Sequence, residues 1–204
     1  MNRFAHLTRP AVWLLFLAPL LIACDSRVTL GPGEMVREVP KQRALTNEPP
    51  FTHLDVYTLT PVAEYSLEAK VLSRKWYSTW VESAAELAPL DLAVGWGIMS
   101  DEDMISRLEI SQGDRFYYWS TRDPEVPLRE VERSSANMHL IPSDGFVESA
   151  MYEARPGDLV WMRGFLVNVT REDGYYWNTS TTRGDTGPGA CEILYVQEFQ
   201  ITTP

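Results

Sequence analysis

From Leu159 to Val169 the chain alternates: Leu159, Trp161, Arg163, Phe165, Val167 and Val169 fall on one parity. Successive side chains of a strand point to opposite faces, so a run of this length reads as a long strand and not as a helix. Asp173-Gly174 follows, a dipeptide suited to a tight hairpin, and Tyr175 to Thr181 reads as the returning strand. The same period marks Leu54 to Leu59, closed by Pro61, and the Ala63–Tyr77 segment through Tyr65, Leu67, Ala69 and Val71. Arg115 to Trp119 is an aromatic strand, and Ile193 to Ile201 is the last one. Helical signals are few. Ala84 to Val94 predicts a short helix closed by Gly95-Trp96-Gly97, and Ser100 with Asp103 predicts a capped turn before Met104 and Ile105. Ser143 or Asp144 caps a helix through Ala154, which Arg155-Pro156-Gly157-Asp158 breaks. The fold class expected is mainly β: a small antiparallel OB-like barrel with short helical inserts, its helix between the third and fourth strands. An α+β antiparallel sheet with helices on one face is the alternative.

The chain of 204 residues has three unlike parts. Ala11 to Ala23 is an uninterrupted apolar run, preceded by Arg3 and Arg9 and followed by the first acidic residue, Asp25. This is the layout of an export signal. The run is shorter than the ~20 residues that cross a bilayer. Leu21-Ile22-Ala23-Cys24 resembles the lipobox of bacterial lipoproteins. The resemblance implies cleavage between Ala23 and Cys24 and acylation of Cys24, so that membrane lipid is the first expected partner. Asp25 resembles the signal that keeps such proteins in the inner membrane of enteric bacteria, with the outer membrane an alternative elsewhere. The expected organisation is a signal peptide over 1–23, a lipidated N-terminus and flexible tether over 24–52, and one globular periplasmic domain over 53–204. The tether reading rests on Gly31, Pro32, Gly33, Pro40, Pro49 and Pro50 and on the lack of periodicity between them.

A net charge of −10 argues against a nucleic-acid binder, which needs a basic face. Without Arg3 and Arg9 the mature chain has 16 basic against 28 acidic residues, about −12. Two cysteines build neither a disulfide scaffold nor a Cys₄ zinc site. His53 and His139 lie outside any metal-binding helix pattern, and no cofactor motif occurs, so neither metal nor cofactor is expected. The acidic run Asp101-Glu102-Asp103 suits a helix N-terminus without any ion.

Cys191 is the one thiol left once Cys24 is acylated. A cysteine nucleophile needs a base, and His139 is the candidate. Ser135, Asn137 and His139 share one face if their stretch is extended, and Asn137 or Asp185 would orient the imidazole. The competing reading makes Cys191 a small buried hydrophobe. Asp185-Thr186-Gly187 resembles the aspartic-protease triplet but has no second copy to share a proton with. Trp76-Tyr77 with Trp80, and Tyr175-Tyr176-Trp177, place aromatics on both faces of their segments, so some must reach the surface or a groove.

Several stretches together resemble a family of exported, membrane-anchored bacterial proteins: Asp91 to Asp101, Ser135 to Pro142, Arg155 to Asp158, Arg163 to Val167 and Thr182 to Glu192. The resemblance covers most of the chain from Tyr65 onward. It implies one exported domain behind an N-terminal hydrophobic segment and brings no activity with it. The function expected is therefore binding: a lipid-anchored periplasmic scaffold or accessory protein with an envelope protein as possible partner. Its expected contact surface is Ser135 to Pro142 together with the Thr182–Glu192 loop, including Arg183, Asp185 and Glu192. A small thiol hydrolase or transferase using Cys191 and His139 is the alternative.

Overall fold

The computed structural model describes residues 28–80, 83–184, 187 and 189–203. Ala23, Cys24, Asp25 and Asp185 lie outside the described residues. The elements, in chain order, are β1 (Lys41–Ala44), β2 (Phe51–His53), β3 (Tyr57–Trp76), β4 (Leu90–Gly95), α1 (Glu102–Ile105), β5 (Glu109–Gly113) and β6 (Phe116–Ser120). Then come α2 (Leu128–Arg133), β7 (Ser135–Pro142), α3 (Gly145–Glu153), β8 (Leu159–Arg171), β9 (Tyr176–Trp177) and β10 (Glu192–Ile201). Single 3₁₀ turns occupy Ser83–Ala85 and Gly97–Ser100.

The protein is mainly β. Strand β3 pairs with β4, β4 with β7, β7 with β10, β10 with β8, and β8 with β3 again, so these five strands close a ring. Helix α3 falls between β7 and β8, the third and fourth ring strands in chain order, as expected of an OB-like arrangement. One expectation needs correction: the ring is not wholly antiparallel, because β7 and β10 run parallel. An odd number of strands cannot alternate direction all the way round a closed ring, so one like-directed seam is forced.

Alternation along the ring strands fills the interior with one parity. Tyr65, Leu67, Ala69 and Val71 from β3 meet Leu90, Leu92 and Val94 from β4, Met138 and Leu140 from β7, Val160, Met162 and Leu166 from β8, and Leu194 and Val196 from β10. Helix α3 closes one end of this barrel with Val147 and Met151, its N-terminus capped by Asp144, whose carboxylate accepts from the Phe146 and Val147 amides. Strand β4 is buried on both faces, since the insertion from Trp96 to Ser134 covers its outer side with Met99, Ile105, Val126 and Val131. That double burial erases alternation, so the predicted helix over Ala84 to Val94 is instead a 3₁₀ turn followed by a strand. Pro61 does not end a strand either. Strand β3 runs through it, and the register with β8 shifts between Pro61 and Ala63, where a bulge accommodates the missing N–H. Gly164 has a different constraint. A Cβ there would lie 1.8 Å from the Tyr195 carbonyl oxygen, so β8 and β10 approach this closely only across glycine.

The segment read as a flexible tether is corrected from Val28 onward. Val36 is buried in the main core. The Ser100 hydroxyl accepts from the Met35 and Val36 amides, both at 3.0 Å, and donates to the Gly97 carbonyl at 2.7 Å. Gly33 donates to Asp101 Oδ1 at 2.9 Å, and β1 pairs antiparallel with β3. Such irregular contacts leave no period in the sequence. Ser100, predicted as a helix cap, is occupied with this strap, and Asp101 caps α1 in its place.

His53 ends β2 and packs edge-on against Tyr195, ring centroids 5.6 Å apart. Half-burial lowers its pKa from the ordinary 6.5, because the charged imidazolium loses hydration. A folded-state value below the unfolded one means this contribution to stability is complete above pH 6.5 and declines as pH falls through the folded value. Thermal unfolding from pH 7.5 to 5 should show that decline, and His53→Gln should flatten it.

Candidate functional site

Opposite parity on β7 puts Ser135, Asn137 and His139 on the outside of the barrel, because Met138 and Leu140 point inward. Outside does not mean exposed: Asn137 and His139 are buried. The β5–β6 hairpin lies over them. Its turn residues Asp114 and Arg115 both have positive φ, at 51° and 66°, in the backbone region that a two-residue hairpin turn demands. Their strain is held by what Arg115 reaches. Its Nη1 donates to Asp91 Oδ1 and to the Ala88 carbonyl, each at 2.8 Å, and its guanidinium lies 3.7 Å from the centre of the Tyr77 ring.

Asp91 sits opposite His139 in the β4–β7 register and is fully buried. Its Oδ1 is also 2.9 Å from His139 Nδ1. One carboxylate thus joins a guanidinium from the hairpin and an imidazole from the barrel wall. Trp177 covers the imidazole, ring centroids 4.5 Å apart. Burial, with the Asp91 carboxylate next in effect, holds the Tyr77 phenol well above its ordinary value.

Two residues before His139, the Asn137 amide continues the network. Its Nδ2 donates to the Arg115 carbonyl at 3.1 Å and lies 3.8 Å from Cys191 Sγ, while its Oδ1 accepts from Gln112 Nε2 at 2.8 Å. The half-buried Cys191 also lies 3.7 Å from the Arg115 carbonyl oxygen. The thiol therefore faces an amide and a peptide carbonyl. His139 has Nδ1 committed to Asp91, and it does not line the cavity on which Cys191 opens.

That cavity, about 140 Å³, lies between the hairpin, the start of β7 and the loop before β10. Trp96, Phe116, Tyr117 and Trp119 form its apolar walls; Ser135, Asn137, Arg183, Cys191 and Glu192 supply polar groups. Gly184, Gly187 and Ala190 bring the loop backbone to its rim. Burial raises the Tyr117 phenol to about 12, so it stays neutral. At the floor, Glu192 is buried beside Tyr65, whose phenol burial and then the Glu192 carboxylate push well above the ordinary range. Arg183 also donates to the Pro40 carbonyl, fastening the loop to the N-terminal strap.

The structure thus brings Ser135, Asn137, Arg183, Cys191 and Glu192 to one cavity, and it sets His139 behind them in the wall. Asp91 and Arg115 escaped the sequence reading. Nothing marks a buried ion pair between residues so far apart in the chain, although Gly113-Asp114 ahead of an aromatic strand signals the turn that presents Arg115. Among the described residues no cluster of three or more His, Cys, Asp or Glu is placed to hold a metal. Asp101 instead caps α1, and Glu102 pairs with Lys70. Compared with family models, curated proteins and solved structures, the chain has no match.

Proposed function

We propose that this chain is a lipid-anchored periplasmic binding domain, attached through acylated Cys24, that receives a group of an envelope partner in the aromatic cavity beside β7. The observation that carries this reading is the convergence on one concave site of the start of the Ser135–Pro142 segment and the Thr182–Glu192 loop. A flat apolar group fits between walls such as Trp96 and Trp119, and the amide and hydroxyl groups of Asn137 and Ser135 orient its polar edge. The cavity admits a side chain or a small ring and not an extended polymer. The geometry supports binding over thiol catalysis, because His139 does not line the cavity on which Cys191 opens and the thiol faces the Asn137 amide and the Arg115 carbonyl.

A photo-crosslinking amino acid placed in turn at Ser135, Thr182 and Ala190 in living cells tests this. Crosslinked partner from these positions, and none from exposed Ser149 on α3 at the other end of the barrel, is the expected outcome. Adducts spread equally over all four positions would refute the cavity as the contact site.

A further inference from the structure

The strap changes where the anchor must leave the domain. Val28 donates its amide to the Pro156 carbonyl at 2.8 Å. Its own carbonyl oxygen would lie 1.7 Å from a Cβ at Gly157, which has φ +97°. Val28 is therefore fixed against the turn that follows α3. Four residue steps separate it from Cys24, and even a fully extended chain spans at most about 14 Å over that distance. A tether of some 25 residues would let the domain stand clear and turn freely. Four residues hold the α3 end of the barrel against whatever surface Cys24 enters.

That end carries unpartnered aromatic surface. Phe146, in the first turn of α3, is 91% exposed. Tyr152 on α3 stacks on Trp76 at 3.9 Å with a 9° interplanar angle, and it too is exposed. Arg74 donates to the carbonyls of Tyr152 and Ala154, locking α3 to β3, so this surface is rigid. Exposed Phe and Tyr cost solubility in water, and they favour the headgroup region of a bilayer, where an aromatic ring finds apolar and polar surroundings at once. Charges on this end are mixed: Asp144, Glu148 and Glu153 offset Lys75 and Arg155. The occupant is accordingly a lipid surface in general and not an anionic one in particular.

We propose that the α3 end of the barrel lies on the membrane, with Phe146 and Tyr152 seated at the lipid interface and the aromatic cavity held at a fixed orientation above it. The proposal rests on anchoring at Cys24. It goes further by assigning a second, direct lipid contact to the folded domain.

The test uses the lipidated protein from Cys24 onward, purified from membranes and reconstituted into phosphatidylcholine vesicles with or without brominated acyl chains. Brominated lipid quenches the emission of tryptophans at the interface. Quenching that rises by roughly half or more in Phe146→Trp, and that falls in the Phe146→Ser/Tyr152→Ser pair, is the expected result. Protein that floats with the vesicles but shows no quenching overturns the docking and leaves the anchor standing. Protein that does not float overturns the anchor and the docking with it. Quenching that vanishes in 0.5 M salt shows charge attraction and also overturns the aromatic contact.

Discussion

Asp91→Asn is expected to destabilise the protein by about 3–5 kcal/mol, lowering the unfolding midpoint by roughly 10 °C. The carboxylate is fully buried, so its charge is not screened by water. It faces the Arg115 guanidinium and the His139 imidazole at 2.8 and 2.9 Å. An amide keeps the shape and removes the negative charge that the largely buried guanidinium faces. The loss should be structural as well as energetic, since Arg115 holds the β5–β6 hairpin over Asn137 and Cys191. Denaturant unfolding of the variant measures the first effect, and faster alkylation of Cys191 in the folded variant reports the second. A change below about 1 kcal/mol would show that the group is solvated and the hairpin held by its apolar contacts alone.

Lys70→Met should cost a similar amount, about 3–5 kcal/mol. Lys70 lies on the outer face of β3 with its ammonium wholly buried, 2.5 Å from Glu102 Oε1 and 3.4 Å from the Ser100 carbonyl. Glu102 belongs to α1 in the insertion, so this ion pair fastens the insertion to the barrel beside the N-terminal strap. Removing the ammonium deprives a mostly buried carboxylate of its counter-charge. The double variant Lys70→Met/Glu102→Leu should recover most of the loss, because matched apolar groups often replace a buried pair without penalty. Urea unfolding of the two single variants and the double gives the coupling directly. Equal losses in the single Lys70 variant and the double would contradict a charge-pair origin.

Much of the barrel is legible in the sequence because barrel strands alternate. Tyr65 to Val71 present their apolar parity to the interior. Along Leu159 to Val169 the alternation marks the strand, but the interior takes the other parity, Val160, Met162 and Leu166, because Val167 and Val169 pack in a second cluster. Asp144 likewise announces α3 by the simple chemistry of a cap. Legibility fails where burial is two-sided or contacts are remote. Strand β4 is covered on both faces, so its period disappears. The strap over Val28 to Pro40 is irregular backbone satisfied by Ser100, 64 residues from Val36, and proline and glycine make such a segment look like a linker. At the site, alternation placed Ser135, Asn137 and His139 on one face, and that is where they lie. What alternation cannot show is that Asp91 crosses from β4 to engage His139. The imidazole packs against Trp177 and lies off the cavity, and Cys191 is left facing the Asn137 amide.

Cys191 lines the cavity and, under the proposed acylation of Cys24, is the thiol available to report on it. The most direct measurement is therefore its alkylation rate, compared between intact cell envelopes and the purified full chain. A site that holds a partner group in the envelope should slow alkylation there by about threefold or more, as expected if the site is occupied two-thirds of the time. Equal rates in the two preparations would contradict an occupied cavity and, with it, the binding function proposed for this domain.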